Sequence, residues 1–187
     1  FKFNKRNLLV TFHPVTLERE TSKHQFQELL DALSELDEIQ IIFTATNSDT
    51  DGRIINKMIN DYVKKESEKS IFFKSMGQIN YLSTMQFVDG VVGNSSSGLA
   101  EAPSFNIGTI NIGDRQKGRL RCDSIIDVNP DNKSIKDGIN KLYSTNFQVK
   151  LKIVKNPYGE GKASQKILKV LKNESFPEEI KKEFYDL

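Results

Sequence analysis

Val91-Val92-Gly93-Asn94-Ser95-Ser96-Ser97-Gly98-Leu99-Ala100-Glu101 is the stretch that decides how the rest of this chain is read. A short apolar strand runs into small polar residues and glycine, and then into a helix that starts near Ser96 or Ser97. Such a start aims unpaired backbone N–H groups, and about half a positive charge of macrodipole, at whatever lies beyond the strand end. Gly93 and Gly98 let backbone approach a ligand without an intervening Cβ, and Asn94, Ser95 and Ser96 add short donors. Glu101 is one turn into the helix, too far along to answer the dipole, and is placed to accept hydrogen bonds from a sugar diol. The stretch reads as a phosphate cradle beside a ribose clamp. Simple capping, with Glu101 an ordinary first-turn acid, fits the same spacing, so the choice falls to the surrounding chain.

Working outward, residues 8–12 (LLVTF), 39–45 (IQIIFTA), 70–74 (SIFFK), 87–92 (FVDGVV), 107–112 (IGTINI) and 124–128 (SIIDV) read as strands. The continuous apolar runs among them suit burial on both faces of a parallel sheet. Helical faces lie between: Phe26, Leu29, Leu30, Leu33 and Leu36 behind first-turn acids Glu18 and Glu20; Ile54, Ile55, Met58, Ile59, Tyr62 and Val63; then Ile79, Leu82 and Met85. Ile135, Ile139, Leu142 and Tyr143 mark a further helix, and 163–171 a last one. Strands alternating with helices predict an α/β, Rossmann-like parallel sheet with helices on both faces.

His13 precedes Pro14, which turns the chain at the end of the first strand. Asn47, Ser75, Asn94 to Ser96 and Arg115 also follow strand ends, the edge at which open α/β sheets bind ligands. Independent surface loops would not gather their hydrogen-bonding residues on one edge, so the convergence favours a nucleotide site over capping alone. The loop GDRQKGR (113–119) is either a solvated turn or an anion-handling lid. His24 lies within a helix and reads as solvated, and the GEG at 159–161 lacks the buried strand that a nucleotide fingerprint requires.

Composition narrows the classes. At 187 residues and 37% hydrophobic the chain holds one sizeable core rather than two. A net charge of +2 with lysines and acids interspersed gives no basic stripe for nucleic acid. A single cysteine, Cys122, rules out an internal disulfide and, with only two histidines, argues against a structural zinc site. No apolar run reaches membrane-spanning length, and the opening FKFNKRNLLVTF turns polar too soon for a secretory signal, so a cytoplasmic protein is expected. The start at Phe1, with a strand under way by Leu8, is expected of a piece of a longer chain.

With these residues assembled, the chain resembles the C-terminal half of hydrolysing UDP-N-acetylglucosamine 2-epimerases, the enzymes that make N-acetylmannosamine for sialic-acid-type sugars. LLVTFHPVT (8–16), GNSSSGLAEAPSF (93–105), TINIGDRQKGR (109–119) and NPYGEGKAS (156–164) carry the resemblance. It implies the C-terminal half of a glycosyltransferase-B fold: a UDP-binding domain over 1–173, a charged helical tail over 174–187, and an N-terminal catalytic domain outside this sequence. It further implies that His13 lies beside the diphosphate or hexose as a catalytic group, with Asn47 near the uridine diphosphate. Ser75 and Met76 would face uracil through backbone, Ser95 and Ser96 would hold phosphate oxygens, Glu101 the ribose hydroxyls, and Arg115 the diphosphate. The family's N-x-D-x-G turn is matched at Asn47 and Asp49, but its glycine comes one residue late, at Gly52.

The chemistry so implied is elimination of UDP across C1 and C2 to a glycal, followed by hydration to the free 2-epimer. A helix N-terminus, Arg115 and a protonated His13 suit the charge that develops on the departing diphosphate, at about 3 to 4 kcal/mol per well-placed donor. The carboxylates that move the C2 proton belong to the N-terminal domain, so this chain alone is expected to bind UDP without turning it over. No cofactor or metal is implied. The expected partners are a UDP-sugar, the N-terminal domain and further copies in a homo-oligomer, with neither nucleic acid nor membrane. A non-hydrolysing UDP-GlcNAc 2-epimerase, a UDP-sugar glycosyltransferase domain and a non-enzymatic nucleotide-sugar-binding module remain alternatives, and the sugar carries one acetamido group or two.

Overall fold

The computed structural model describes residues 3–15, 21–47 and 51–175. The first half of the chain forms β1 (Arg6–Thr11), α1 (Ser22–Ser34), β2 (Ile39–Thr44), α2 (Gly52–Lys65), β3 (Ser70–Phe73), α3 (Gly77–Thr84) and β4 (Gly90–Gly93). The second half forms α4 (Ser97–Ala100), a 3-10 turn (Ala102–Phe105), β5 (Gly108–Ile112), β6 (Ile125–Val128), α5 (Asn132–Leu142), α6 (Thr145–Leu151) and α7 (Ala163–Asn173). The strands make one six-stranded sheet, parallel throughout, in the order β3-β2-β1-β4-β5-β6.

Alternate side chains of each strand point to opposite faces, and the apolar runs therefore feed two cores. Leu8, Val10, Ile41, Phe43 and Val92 pack in one with residues of α1, α2, α5 and α6. Leu9, Ile42 and Val91 pack in a smaller one with Met85, Ala102 and Ile107, beside α3 and the 3-10 turn. The expected α/β sheet with helices on both faces is therefore present, with one face covered more thinly. From β1 the chain moves outward to β2 and β3, then returns to β4 on the other side of β1. Connections leaving β1 and β4 diverge to opposite faces and open a crevice between the strand ends.

Several expectations are corrected. Helix α1 spans Ser22–Ser34, and Glu18 and Glu20, expected in its first turn, lie outside the described residues. Ile79 is 81% exposed while Met85 is fully buried, because residues three apart on a helix fall about 60° short of one turn and the apolar line drifts. β4 begins at Gly90, and Phe87, 60% exposed, instead stacks on Phe3 with ring centroids 5.4 Å apart. Helix α6, which buries Phe147 and Leu151, was not foreseen, and α7 buries none of its residues. The charged tail beyond 175 lies outside the described residues.

A helix leaves its last carbonyls unpaired. At the end of α1, Lys69 supplies the missing donor: its Nζ donates to the carbonyls of Ser34 (2.9 Å) and Leu36 (3.2 Å), setting a cation at the negative end of the helix. Lys69→Met keeps most of the stem and removes the donors. It is expected to lower the unfolding free energy by about 1 kcal/mol, read as a lower urea midpoint at unchanged slope; an unmoved midpoint would show that water serves those carbonyls equally well.

Candidate functional site

The site is built where β1 and β4 end side by side, with Thr11 paired to Gly93. Gly93 has φ +133°, and a Cβ there would lie 2.0 Å from the Thr11 carbonyl oxygen, so only glycine lets the chain leave β4 this close to β1. Asn94 follows, 1% exposed. Its Oδ1 accepts from the His13 amide at 2.7 Å and its Nδ2 donates to the His13 carbonyl at 2.8 Å. The side chain thus adds a rung to the sheet where the backbones part. The Asn94 carbonyl in turn accepts from Arg115 Nη1 (3.0 Å) and Gln116 Nε2 (2.8 Å). The ends of β1, β4 and β5 are joined through this one residue.

His13 is buried, and its Nδ1 accepts the Asn47 amide at 3.1 Å and faces the Thr46 hydroxyl at 3.3 Å. An Nδ1 that accepts a backbone N–H assigns the proton of the neutral imidazole to Nε2. A doubly protonated ring would set one N–H against another, so the expected protonated His13 does not fit this arrangement. The late glycine of the Asn47 turn also has a use: a Cβ at Gly52 would sit 2.1 Å from the Asn47 carbonyl oxygen. Helix α2 therefore starts hard against Asn47 and holds its amide toward the imidazole; Asp49 lies outside the described residues.

The helix expected at Ser96 or Ser97 does start there, but α4 has only four residues. A macrodipole summed over one turn is small, so any anion binding rests on the local N–H groups. Among the described residues, the amides of Ser95 and Ser96 have no hydrogen-bond partner. Ser96 makes no side-chain cap, and Ser95 Oγ reaches the Ser97 amide at 3.4 Å. Capping therefore accounts for little of the serine run. Gly98 lies against Thr109, whose hydroxyl donates to the Gly98 carbonyl at 2.7 Å, and this fixes the turn on β5.

Glu101, exposed at the far end of α4, lines a cleft of about 340 Å³ with Met76, Ser75, Lys74 and Tyr81. Burial pushes the Tyr81 hydroxyl pKa up; the Ser97 and Thr11 hydroxyls beside it pull it down, and the nearby Glu101 carboxylate raises it further. It remains a neutral O–H. The structure thus gathers His13, Asn47 and Arg115 around Asn94, and puts Met76 and Glu101 in one cleft. Ser95 and Ser96 are the covalent link between the two groups. A larger groove of about 750 Å³ runs along the edge strand β6 and α5, lined by Asp114, Lys117, Asp127, Asp137 and Lys141 among others. It holds none of the expected site residues, and its mixed charges favour no single ligand sign. Among the described residues, no cluster of His, Cys, Asp and Glu suits a metal ion.

Sequence reasoning named Asn94 only as a short donor and missed its joining role, along with Thr46, Tyr81 and Gln116. The available signal was position, since each lies at or just beyond the end of a strand or in the helix feeding β4. Asn94→Asp keeps the shape but turns the donor facing the His13 carbonyl into an acceptor. We expect it to destabilise the fold by about 3 kcal/mol near neutral pH. The buried carboxyl's folded-state pKa should be raised, so the deficit against wild type should shrink as pH falls and the protonated group can donate. Paired urea titrations across pH measure this, and equal stability throughout would show that the side chain does not bridge the strand ends.

A family profile described as UDP-N-acetylglucosamine 2-epimerase matches residues 2–172. Over all 187 residues the chain is 41% identical to a Campylobacter jejuni protein named GDP/UDP-N,N'-diacetylbacillosamine 2-epimerase (hydrolyzing), covering 48% of it. Over 186 residues, 98% of this chain, it is 37% identical to the Escherichia coli polysialic acid biosynthesis protein P7, covering 47% of it. Among solved structures it is similar to an S. aureus MnaA–UDP complex with a TM-score of 0.70 at 14% identity, over 90% of this chain and 44% of that one. The chain spans about half the length of the relatives it matches, and its fold is the Rossmann-like C-terminal half of a glycosyltransferase-B architecture. The profile match across nearly the whole chain and the identity to these relatives lead to one assignment: the chain belongs to the UDP-N-acetylglucosamine 2-epimerase family.

Proposed function

We propose that this chain is the UDP-binding half of a hydrolysing UDP-sugar 2-epimerase. The observation that carries the reading is the junction at Asn94, which gathers His13 and Arg115 at the start of the Ser95–Ser96 amides while Glu101 opens into the adjacent cleft. In this reading the amides of Ser95 and Ser96 take phosphate oxygens and Arg115 supplies positive charge to the diphosphate. Glu101 accepts from the ribose hydroxyls, the backbone around Met76 meets the uracil, and Asn47 keeps His13 in the tautomer whose Nε2–H donates toward the diphosphate or hexose. The name of the Campylobacter jejuni relative supports hydrolysis as the outcome and a diacetamido sugar as the substrate class.

The reaction asks little covalent work of these residues. A base removes the C2 proton, the C1–O bond breaks with its electron pair going to the diphosphate, and the glycal forms. Water then returns a hydroxyl to C1 and a proton to the opposite face of C2. Fixed donors aimed at the departing diphosphate stabilise its growing charge by about 3 to 4 kcal/mol each. The groups that handle the C2 proton would come from an N-terminal half, so this chain by itself is expected to be inactive. The complete enzyme would act in the cytoplasm, where its two halves close on the UDP-sugar, and assemble as a homo-oligomer.

Calorimetric titration of UDP, UMP and uridine into the chain tests the reading. UDP should bind most tightly. Glu101→Ala should weaken all three by about 10- to 100-fold, the value of a hydrogen bond to a charged group. Arg115→Ala should weaken UDP and leave uridine unchanged. Equal affinity for UDP and uridine, or Glu101→Ala binding as wild type does, would overturn it.

A further inference from the structure

The segment NPYGEG (156–161) fits no nucleotide fingerprint, yet it touches both walls of the site. Asn156 Nδ2 donates to the Ala100 carbonyl and to Ser104 Oγ, each at 2.7 Å. These contacts flank Glu101, whose own carbonyl accepts from the Ser104 amide at 2.9 Å. One side chain therefore holds the backbone just before the carboxylate that lines the cleft and the Ser104 hydroxyl three residues after it. Asn156 Oδ1 accepts from the Tyr158 amide at 2.9 Å, and the Tyr158 hydroxyl donates to the Leu120 carbonyl at 3.1 Å. Leu120 belongs to the loop after β5 that carries Arg115 and Gln116. Gly159 and Gly161, at φ +96° and +90°, close the turn that lets neighbouring residues reach in opposite directions.

We propose that this segment is a strap that sets the distance between the two charged groups of the site: Asn156 is a positioning residue for Glu101, and Tyr158 is one for the loop bearing Arg115. The inference rests on the UDP-binding reading. Fixing a carboxylate and a cation that hold different parts of one ligand removes motion that binding would otherwise have to freeze. Neither Asn156 nor Tyr158 needs to touch the nucleotide for this.

Uridine and UDP titrations of wild type, Asn156→Ala and Tyr158→Phe, each also in the Glu101→Ala and Arg115→Ala backgrounds, test the strap. Asn156→Ala should weaken uridine and UDP alike, by about fivefold, and have no further effect once Glu101 is removed. Tyr158→Phe should leave uridine unchanged, weaken UDP by about fivefold, and have no further effect once Arg115 is removed. Tyr158 is 46% exposed and keeps its ring in the variant, so that arm reads binding even if Asn156→Ala folds poorly. Effects that add in full to those of Glu101→Ala and Arg115→Ala, or a Tyr158→Phe loss equal for both ligands, would overturn the strap while leaving the site intact. A wild type with no preference for UDP over uridine would overturn the site reading and the strap with it.

Discussion

Asn94 commits both halves of its side-chain amide to the backbone of His13, at the point where β1 and β4 stop pairing and their connections turn to opposite faces. Every open α/β sheet has a crevice at such a switch point, but a crevice alone leaves backbone donors and acceptors exposed to competing water. Here the amide closes the gap and keeps the loop after β1 in register with the loop after β4. Because the Asn94 carbonyl also takes Arg115 and Gln116, the loop after β5 is fixed to the same point. The close approach that makes this possible depends on Gly93, whose missing Cβ is occupied by the Thr11 carbonyl.

The electrostatics that follow are local. A four-residue α4 has no long dipole to offer, so positive potential at the proposed phosphate position comes from individual N–H groups and the Arg115 guanidinium. Such donors are useful to a bond-breaking step because they are already oriented when the charge appears. His13 belongs to the same set as a neutral ring, its Nδ1 occupied by the Asn47 amide. Tyr81, kept protonated chiefly by its burial, lines the cleft next to Glu101 without adding charge. The strap from Asn156 to Tyr158 connects the anionic and cationic walls from outside.

Much of the fold could be read from residue order because parallel strands announce themselves as uninterrupted apolar runs. LLVT, IQIIFT and the VV before the serines all became strands, with β1 starting two residues earlier and ending one residue sooner than its apolar run. The errors came where that signal is weakest. Phe87 was taken into β4 because it adjoins Val88, yet an aromatic beside a sheet edge can stack on another exposed ring just as well. Ile79 looked like core because a three-residue spacing resembles a helix face over short distances. The serine turn was placed correctly, but the helix it opens runs one turn before the 3-10 turn that contains Pro103, too short to carry the half charge of macrodipole expected there. Asn94 as a joint, and Asn156 as a clasp, depend on contacts between residues far apart in sequence, and no spacing rule encodes those.

In the proposed reading, the task of this domain is to hold a nucleotide still while another half of the molecule acts on the attached sugar. The most direct measurement is the amide correlation spectrum of the ¹⁵N-labelled chain with and without UDP. The account predicts that the largest changes fall on Ser95, Ser96 and Ser97, with further changes at Asn47, Met76 and Glu101, while residues along the β6 groove such as Lys117, Asn129 and Lys141 stay in place. Changes confined to that groove, with the serine amides unmoved at saturating UDP, would contradict it.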